Sequence, residues 1–265
     1  MESSISIAVP NNPVYDVFVE HFTEQVGSHR FRLLRTTDDQ CAELLLNNRV
    51  EIAFITPLGY GSAVTRVDYR IVPLYAFMSH GFTGLGSVYF NPSLKSIYTI
   101  GTQNKNSFMT CAGQLILSEK FDIDPMVQEQ SQGTVDTLLA SNDAAIAWTN
   151  EDHREASLDI SEEWKDSFGL PLCMGFWACR PDELPENIAD ILKGFCGSSK
   201  RQLFTDAEHI PHDDEDIDLE LESRVGALSY EWNDESESII STTLEILYYR
   251  QKVAAISAVK LWERD

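Results

Sequence analysis

The chain has 265 residues, 43% of them apolar, enough for a sizeable core in one large domain or two smaller lobes. Twenty Lys and Arg against 42 Asp and Glu give a formal charge of -22, which argues against nucleic acid or an anionic membrane surface as partner, because phosphate binding needs dense cations. No apolar run approaches the roughly 18 residues of a membrane span, and the N-terminus lacks the basic start and long apolar region of a signal peptide, so a cytoplasmic protein is expected.

In chain order, "ISIAVP" has strand composition, and "VYDVFVEHFTEQV" after Pro13 carries apolar residues at helical spacing. "FRLLRTT" predicts a second strand. From Asp38, "DDQCAELLLNNRVEIAFITP" predicts a capped helix, a stop at two asparagines, and a buried strand ending at Thr56 and Pro57. Strands alternating with helices in this way predict a mainly parallel sheet. "IVPLYAFMSHGFTGLGSVYFNPS" supplies two strands around a small-residue turn, and "SIYTIGTQNKNSFMTCAGQLILSEKF" a strand, a polar turn and a helix.

Residues 137–150, "TLLASNDAAIAWTN", then repeat the pattern of residues 43–56, "ELLLNNRVEIAFIT": a leucine-rich helix passing through Asn to a short strand that reaches Thr. The repetition predicts two lobes of related construction. "DISEEWKDSF" reads as an exposed acidic turn or short helix anchored by Trp164. The run after it, residues 172–179, is apolar throughout and is followed by Pro181, which predicts a strand buried on both faces. "LPENIADILKGFC" predicts a helix, "HIPHDDEDIDLELES" an acidic loop, and "DESESIISTTLEILYYRQKVAAISAV" a helix with acids at its start, where the dipole favours them.

Five cysteines without a CxxC pair, Cys41, Cys111, Cys173, Cys179 and Cys196, read as small buried hydrophobes in a reducing compartment. His209 and His212 beside Asp213 and Asp214 read as solvated surface and not as a metal site. There is no GxGxxG, P-loop, GxSxG or HExxH.

Ligands of open α/β sheets sit at the carboxyl ends of strands, against helix N-termini. Those ends read "PNN" (10–12), "TP" (56–57), "MSHG" (78–81), "GTQNKNS" (101–107) and "WTN" (148–150). The fourth gathers Thr102, Gln103, Asn104, Asn106 and Ser107 ahead of a helix, with Lys105 as its lone cation. Neutral donors of this kind can hold a carboxylate. Asn and Ser also cap helices in many proteins, so the reading rests on their convergence. His80, at a strand end, has the side chain that moves protons near neutral pH.

"DISEEWKDSFGLPLCMGFWACRP" resembles the Glu-Glu-Trp, Gly-Leu-Pro, Trp-Ala-x-Arg segment of the menaquinone-biosynthesis family, specifically the chorismate dehydratases of the futalosine route. "VEIAFITPLGYG" is similar to that family's Asp-Leu-Ala-x-Ile-Ser-Pro-x-Glu-Tyr-Ala, and "IGTQNKNSFMTCAGQLIL" to its strand, Ser/Thr turn and helix. The departures are Asn11 and Asn12 directly against Pro13, Gly59 in place of a Glu, and "WTN" in place of Ile-Gly-Asp.

The resemblance implies an α/β, two-lobed fold of the type II periplasmic-binding-protein kind, with a ligand cleft between the lobes. On the repeated helix-strand pattern, residues 1–84 would form the first part of lobe 1, 85–180 lobe 2, and 181–265 the return to lobe 1. The resemblance implies loss of water from chorismate to give an enolpyruvyl benzoate, with no metal or redox cofactor, since aromatisation drives the step. By the same resemblance Asn11 or Asn12 orients the leaving hydroxyl and Ser79 matches a serine at the end of the crossing strand. Asn104, Asn106 and Ser107 match the turn that grips a carboxylate, and Thr56 and Thr149 contact the ligand from opposite sides. A sister enzyme forming a dihydroxynaphthoate, and a non-catalytic small-anion binding protein, are the alternatives.

Overall fold

A computed structural model describes residues 4–91, 96–130, 137–140, 157–181, 184–197, 202–205 and 225–262, whose strands form two sheets. The first strand, β1 (Ser4–Pro10), pairs in parallel with β3 (His29–Thr36), to which the two-residue β2 (Gln25–Val26) is hairpinned. Helix α1 (Asp38–Leu46) leads to β4 (Ile52–Ile55), parallel to β1, and α2 (Pro57–Ala63) follows at once. The long strand β5 (Arg70–Gly81) then carries the chain into the second sheet.

That sheet holds β6 (Ser87–Phe90), β7 (Thr99–Thr102), β8 (Met126–Glu129), β9 (Thr137–Ala140) and β10 (Ser157–Asp159), in the order β10-β6-β9-β7-β8. Two helices belong to it, α3 (Phe108–Phe121) and α4 (Ile160–Phe168). The chain returns as β11 (Leu172–Cys179), antiparallel between β4 and β5. Helix α5 (Ile188–Phe195), β12 (Gln202–Thr205), β13 (Val225–Glu231) and α6 (Ser236–Tyr249) finish the larger lobe. Its eight strands run β12-β13-β5-β11-β4-β1-β3-β2.

Alternation of side chains explains why the large sheet is covered on both faces. On β4, Ile52 and Phe54 point into a cluster with Phe18, Phe77 and Trp177, while Ala53 and Ile55 point into another with Cys41, Leu45, Tyr60 and Leu244. The first face carries most of the aromatics: Phe18 stacks on Phe54 at 4.2 Å, and Trp177 meets Phe54 edge-on at 5.3 Å. All eight residues of β11 are buried, as a central strand between two such layers must be.

Four expectations are corrected. The large sheet is mixed and not mainly parallel, because β11 and β13 enter antiparallel from the second lobe and from its far edge. The same strand moves the return to lobe 1 ahead of Leu172, where the residue pattern had placed it after residue 180. The predicted helix after Pro13 is a 3-10 turn, Pro13–Phe18; Val19 leaves helical geometry, and Gln25 and Val26 pair with β3. "TLLA" is a strand between β6 and β7, not a helix, and the rest of that repeat lies outside the described residues, as does the acidic loop.

The acidic segment before β11 is also less exposed than its composition predicts. Glu163 and Trp164 are buried because α4 lies against α3: Trp164 packs on Phe108 at 6.1 Å, and Glu163 pairs with Lys120.

Candidate functional site

The strand ends of the large sheet are stitched together by backbone and caps. Asn11 N donates to Thr36 O at 2.5 Å, joining the ends of β1 and β3. Asn12 caps the 3-10 turn, its Oδ1 accepting from Val14 N at 3.1 Å. Beside it Arg35 reaches Asp16 Oδ1 at 2.6 Å, and the Arg35 Nε is buried with no partner. Thr56, at the end of β4, caps α2 by accepting from Gly59 N at 3.2 Å.

The polar turn before α3 is largely self-satisfied. Thr102 and Thr110 share a buried hydroxyl contact at 2.9 Å, Asn106 N donates to Asn104 Oδ1 at 3.0 Å, and Ser107 caps α3 through Thr110 N at 3.1 Å. Two donors point elsewhere, and lobe 1 takes both. Phe108 N donates to Asp38 Oδ2 at 2.9 Å, and Asn104 Nδ2 donates to Asp39 Oδ1 at 2.8 Å. Burial pushes the Asp38 carboxyl above its ordinary value, with the Phe108 amide pulling it back and Asp39 adding to the rise. Carboxylates from α1 thus sit on the N-terminal turn of α3, where free amides and the dipole favour negative charge.

Ser79 and His80 lie apart from this turn. Ser79 is fully buried, its hydroxyl engaged by Thr83 at 3.1 Å and by Ser161. His80 Nε2 contacts Ser229 Oγ at 2.9 Å across the pairing of β5 with β13. Around Ser79 the chain crosses between lobes, and Asp159 ties the crossing: it accepts from Gly84 N at 2.8 Å, Thr83 N at 3.4 Å, and Ser161 N and Glu162 N at 3.0 Å each. Thr149 lies outside the described residues.

The structure therefore gathers Thr102, Asn104, Asn106 and Ser107 in one turn, with Asn11, Asn12 and Thr56 on separate strand ends of the other lobe. The sequence reading missed Asp38, Asp39 and Arg35. The two acids were visible as the acidic start of a helix, a pattern that fits a dipole at their own helix as well as a partner elsewhere. Among the described residues no group of three His, Cys, Asp or Glu is placed to hold a metal. Cys41, Cys173 and Cys179 are pushed up to about 12 by burial and Cys111 to about 11, which leaves them as thiols and poor nucleophiles at neutral pH. None of the sequence-predicted site residues lines the pocket of about 210 Å³ between Tyr60, Tyr69 and Ala258. No described helix is long and apolar enough to cross a membrane.

A family model described as menaquinone biosynthesis matches residues 7–223. No curated protein matches the chain in sequence. Among solved structures, the chain is similar to protein AF1704 from Archaeoglobus fulgidus, at 17% identity over 72% of this chain and 74% of that one, with a TM-score of 0.52. The periplasmic aliphatic sulphonate binding protein SsuA from Escherichia coli matches at 10% identity over 99% and 98%, TM-score 0.58. SsuA from Xanthomonas axonopodis pv. citri, bound to MOPS, matches at 10% identity over 97% and 96%, TM-score 0.56. The fold is that of the periplasmic binding proteins: two α/β lobes joined by short crossings.

Proposed function

The chain belongs to the menaquinone-biosynthesis family, and from that premise we propose that it is a lyase removing water from chorismate to leave an enolpyruvyl benzoate. The observation that carries this reading is the carboxylate chemistry at the start of α3. Phe108 N and Asn104 Nδ2 hold carboxylate oxygens at 2.9 and 2.8 Å, within the range of charge-assisted hydrogen bonds. A substrate carboxylate brought to this turn would meet the same two donors, with Asn106 and Ser107 beside them.

In this reading Asn11 and Asn12 orient the departing hydroxyl from the end of β1, Thr56 reaches the ligand from the end of β4, and Thr149 does so from the second lobe. Ser79 acts through the crossing it helps to hold, and His80 from the neighbouring strand position. The chemistry asked of these groups is modest: hold a dianion, align the leaving hydroxyl and proton, and keep bulk water out. Aromatisation supplies the driving force, so the reading calls for no metal or redox group. It also places the protein in the cytoplasm, with the small-molecule substrate as its partner.

One observation favours a different substrate. A Cβ added at Gly59 would lie 2.6 Å from the Ala42 Cβ, so α1 and α2 meet where the resemblance places a glutamate. A chain without that acid suits a sister reaction, such as formation of a dihydroxynaphthoate, or simple anion binding, since fold alone does not fix function.

Purified protein incubated with chorismate, with no metal or cofactor added, should deplete the substrate absorbance and yield a product lighter by one water. Chorismate bound but unchanged would replace this reading with an anion-binding one. Chorismate neither bound nor changed, while a futalosine-derived substrate reacts, would replace it with the sister enzyme.

A further inference from the structure

Helix α3 is one of the places where the second lobe meets the first, and lobe 1 holds it in two places. At its N-terminal turn stand Asp38 and Asp39, the first residues of α1, on Phe108 N and Asn104 Nδ2. From its middle onward, Lys252 Nζ donates to Gln114 Oε1 at 3.3 Å, and Arg250 pairs with Glu119. Arg250 caps the C-terminus of α6, and Lys252 follows two residues later. The signs match the helix dipole, acids at the end with free amides and cations toward the other. Two separate elements of lobe 1 thus grip one helix of lobe 2 with complementary charge.

We propose that these contacts form an interlobe clasp in which Asp38 stands in for a ligand's carboxylate, so that a carboxylate ligand reaches α3 only after the clasp releases. The ligand half of this statement rests on the proposed function; the clasp itself rests on the contacts alone. Arg250 and Glu119 are 41% and 35% exposed, so their pairing is open to screening by salt. The clasp is therefore built to yield, and a dianion that satisfies the same amides competes with it directly.

Small-angle X-ray scattering of the full chain reads the clasp without reference to activity. Wild type in low salt should show a radius of gyration near about 18 Å, the value for a compact chain of this length. Asp38→Asn with Asp39→Asn, and separately Arg250→Glu, should raise it by on the order of 1 Å, as lobe opening does. Adding Glu119→Arg to Arg250→Glu should bring it back. High salt should move wild type toward the variants; the double Asn variant is two charges less negative than wild type and Arg250→Glu two charges more negative, whereas the charge swap keeps the net charge of -22, so the swap isolates the clasp from overall screening. Superimposable profiles for wild type and the folded variants at both salts would overturn it, as would a charge swap that fails to restore wild-type dimensions. Hydrogen exchange at the Phe108 amide needs no substitution: faster exchange in high salt supports the clasp, and unchanged exchange overturns it.

Chorismate titrations then test the stand-in. The Asp38, Asp39 double variant should bind it about tenfold more tightly than wild type, because less of the population is clasped. Equal affinity would overturn the stand-in role. Binding to neither protein would sink the proposed function and leave the scattering result to decide the clasp.

Discussion

The lobes touch at the crossing around Asp159 and again at α3, and the two junctions use opposite chemistry. At the crossing one buried carboxylate accepts four backbone N–H groups, and the hydroxyls of Thr83 and Ser161 both meet that of Ser79, with no cation among these contacts. Burial raises the Asp159 carboxyl while the amides of Glu162, Gly84 and Thr83 lower it. At α3 the contacts are ionic or single, and several of the groups are partly exposed. A buried acceptor lost at the first junction leaves donors unsatisfied, at about 1 to 3 kcal/mol each. An exposed ion pair at the second contributes about 0 to 1 kcal/mol and weakens with salt. The first junction is made to persist through any movement of the lobes and the second to let go.

The largest expected effect tests the first half of that contrast. Asp159→Ala should lower the unfolding free energy by roughly 2 to 4 kcal/mol, from the lost cap on α4 and the orphaned Thr83 and Gly84 amides. Denaturant titration measures it, and a loss no greater than that of Arg250→Ala would erase the distinction between the junctions.

Gly59→Ala comes next and acts on the second junction without altering a charge. Its methyl would press on Ala42 of α1, the helix that carries Asp38 and Asp39, at a cost of roughly 1 to 3 kcal/mol for overpacking. Exchange at the Phe108 amide should quicken in parallel. Lost stability with unchanged exchange would show that α1 yields without moving its first turn.

The smallest effect is a pH dependence. The folded pKa of Asp38 lies above its ordinary 3.8, so the native state holds that proton more tightly than the unfolded chain does. Stability from this group is present below 3.8 and is lost as pH rises through the folded value. The advantage of wild type over Asp38→Asn should therefore be larger at about pH 4, near the ordinary value, than at about pH 8. A constant difference across that range would mean that Asp38 is as well solvated as an ordinary surface acid.

What could be read from residues alone was the part set by local pattern. Residues 172–179 are apolar on every position, short and closed by Pro181, which together favour a strand covered on both faces. The helix from Phe108 followed from its polar entry and apolar body. What the pattern could not show was partnership. Val14, Val17 and Phe18 have helical spacing, yet Pro13 starts only a 3-10 turn and the hairpin at Gly27, with φ +60, claims the residues after it. "TLLA" is too short for periodicity to separate helix from strand; its pairing with β6 and β7 decides. Asp38 and Asp39 looked like acids complementing their own helix, and their second role depends on where α3 lies.

Strand β11 sets a schedule for the molecule's assembly. Residues 1–81 carry β1, β3, β4 and β5, yet β4 and β5 share no hydrogen bonds, because β11 stands between them. The other neighbour of β5, β13, comes later still. During synthesis the N-terminal third of the chain therefore holds a four-strand fragment, β4-β1-β3-β2, and a detached strand, with Phe54, Ile55 and Phe77 awaiting cover. The lobe that is translated first closes only after the second lobe has been made. Its rate of formation is tied to long-range pairings of the kind that fold slowly and expose strand edges to aggregation in the interval.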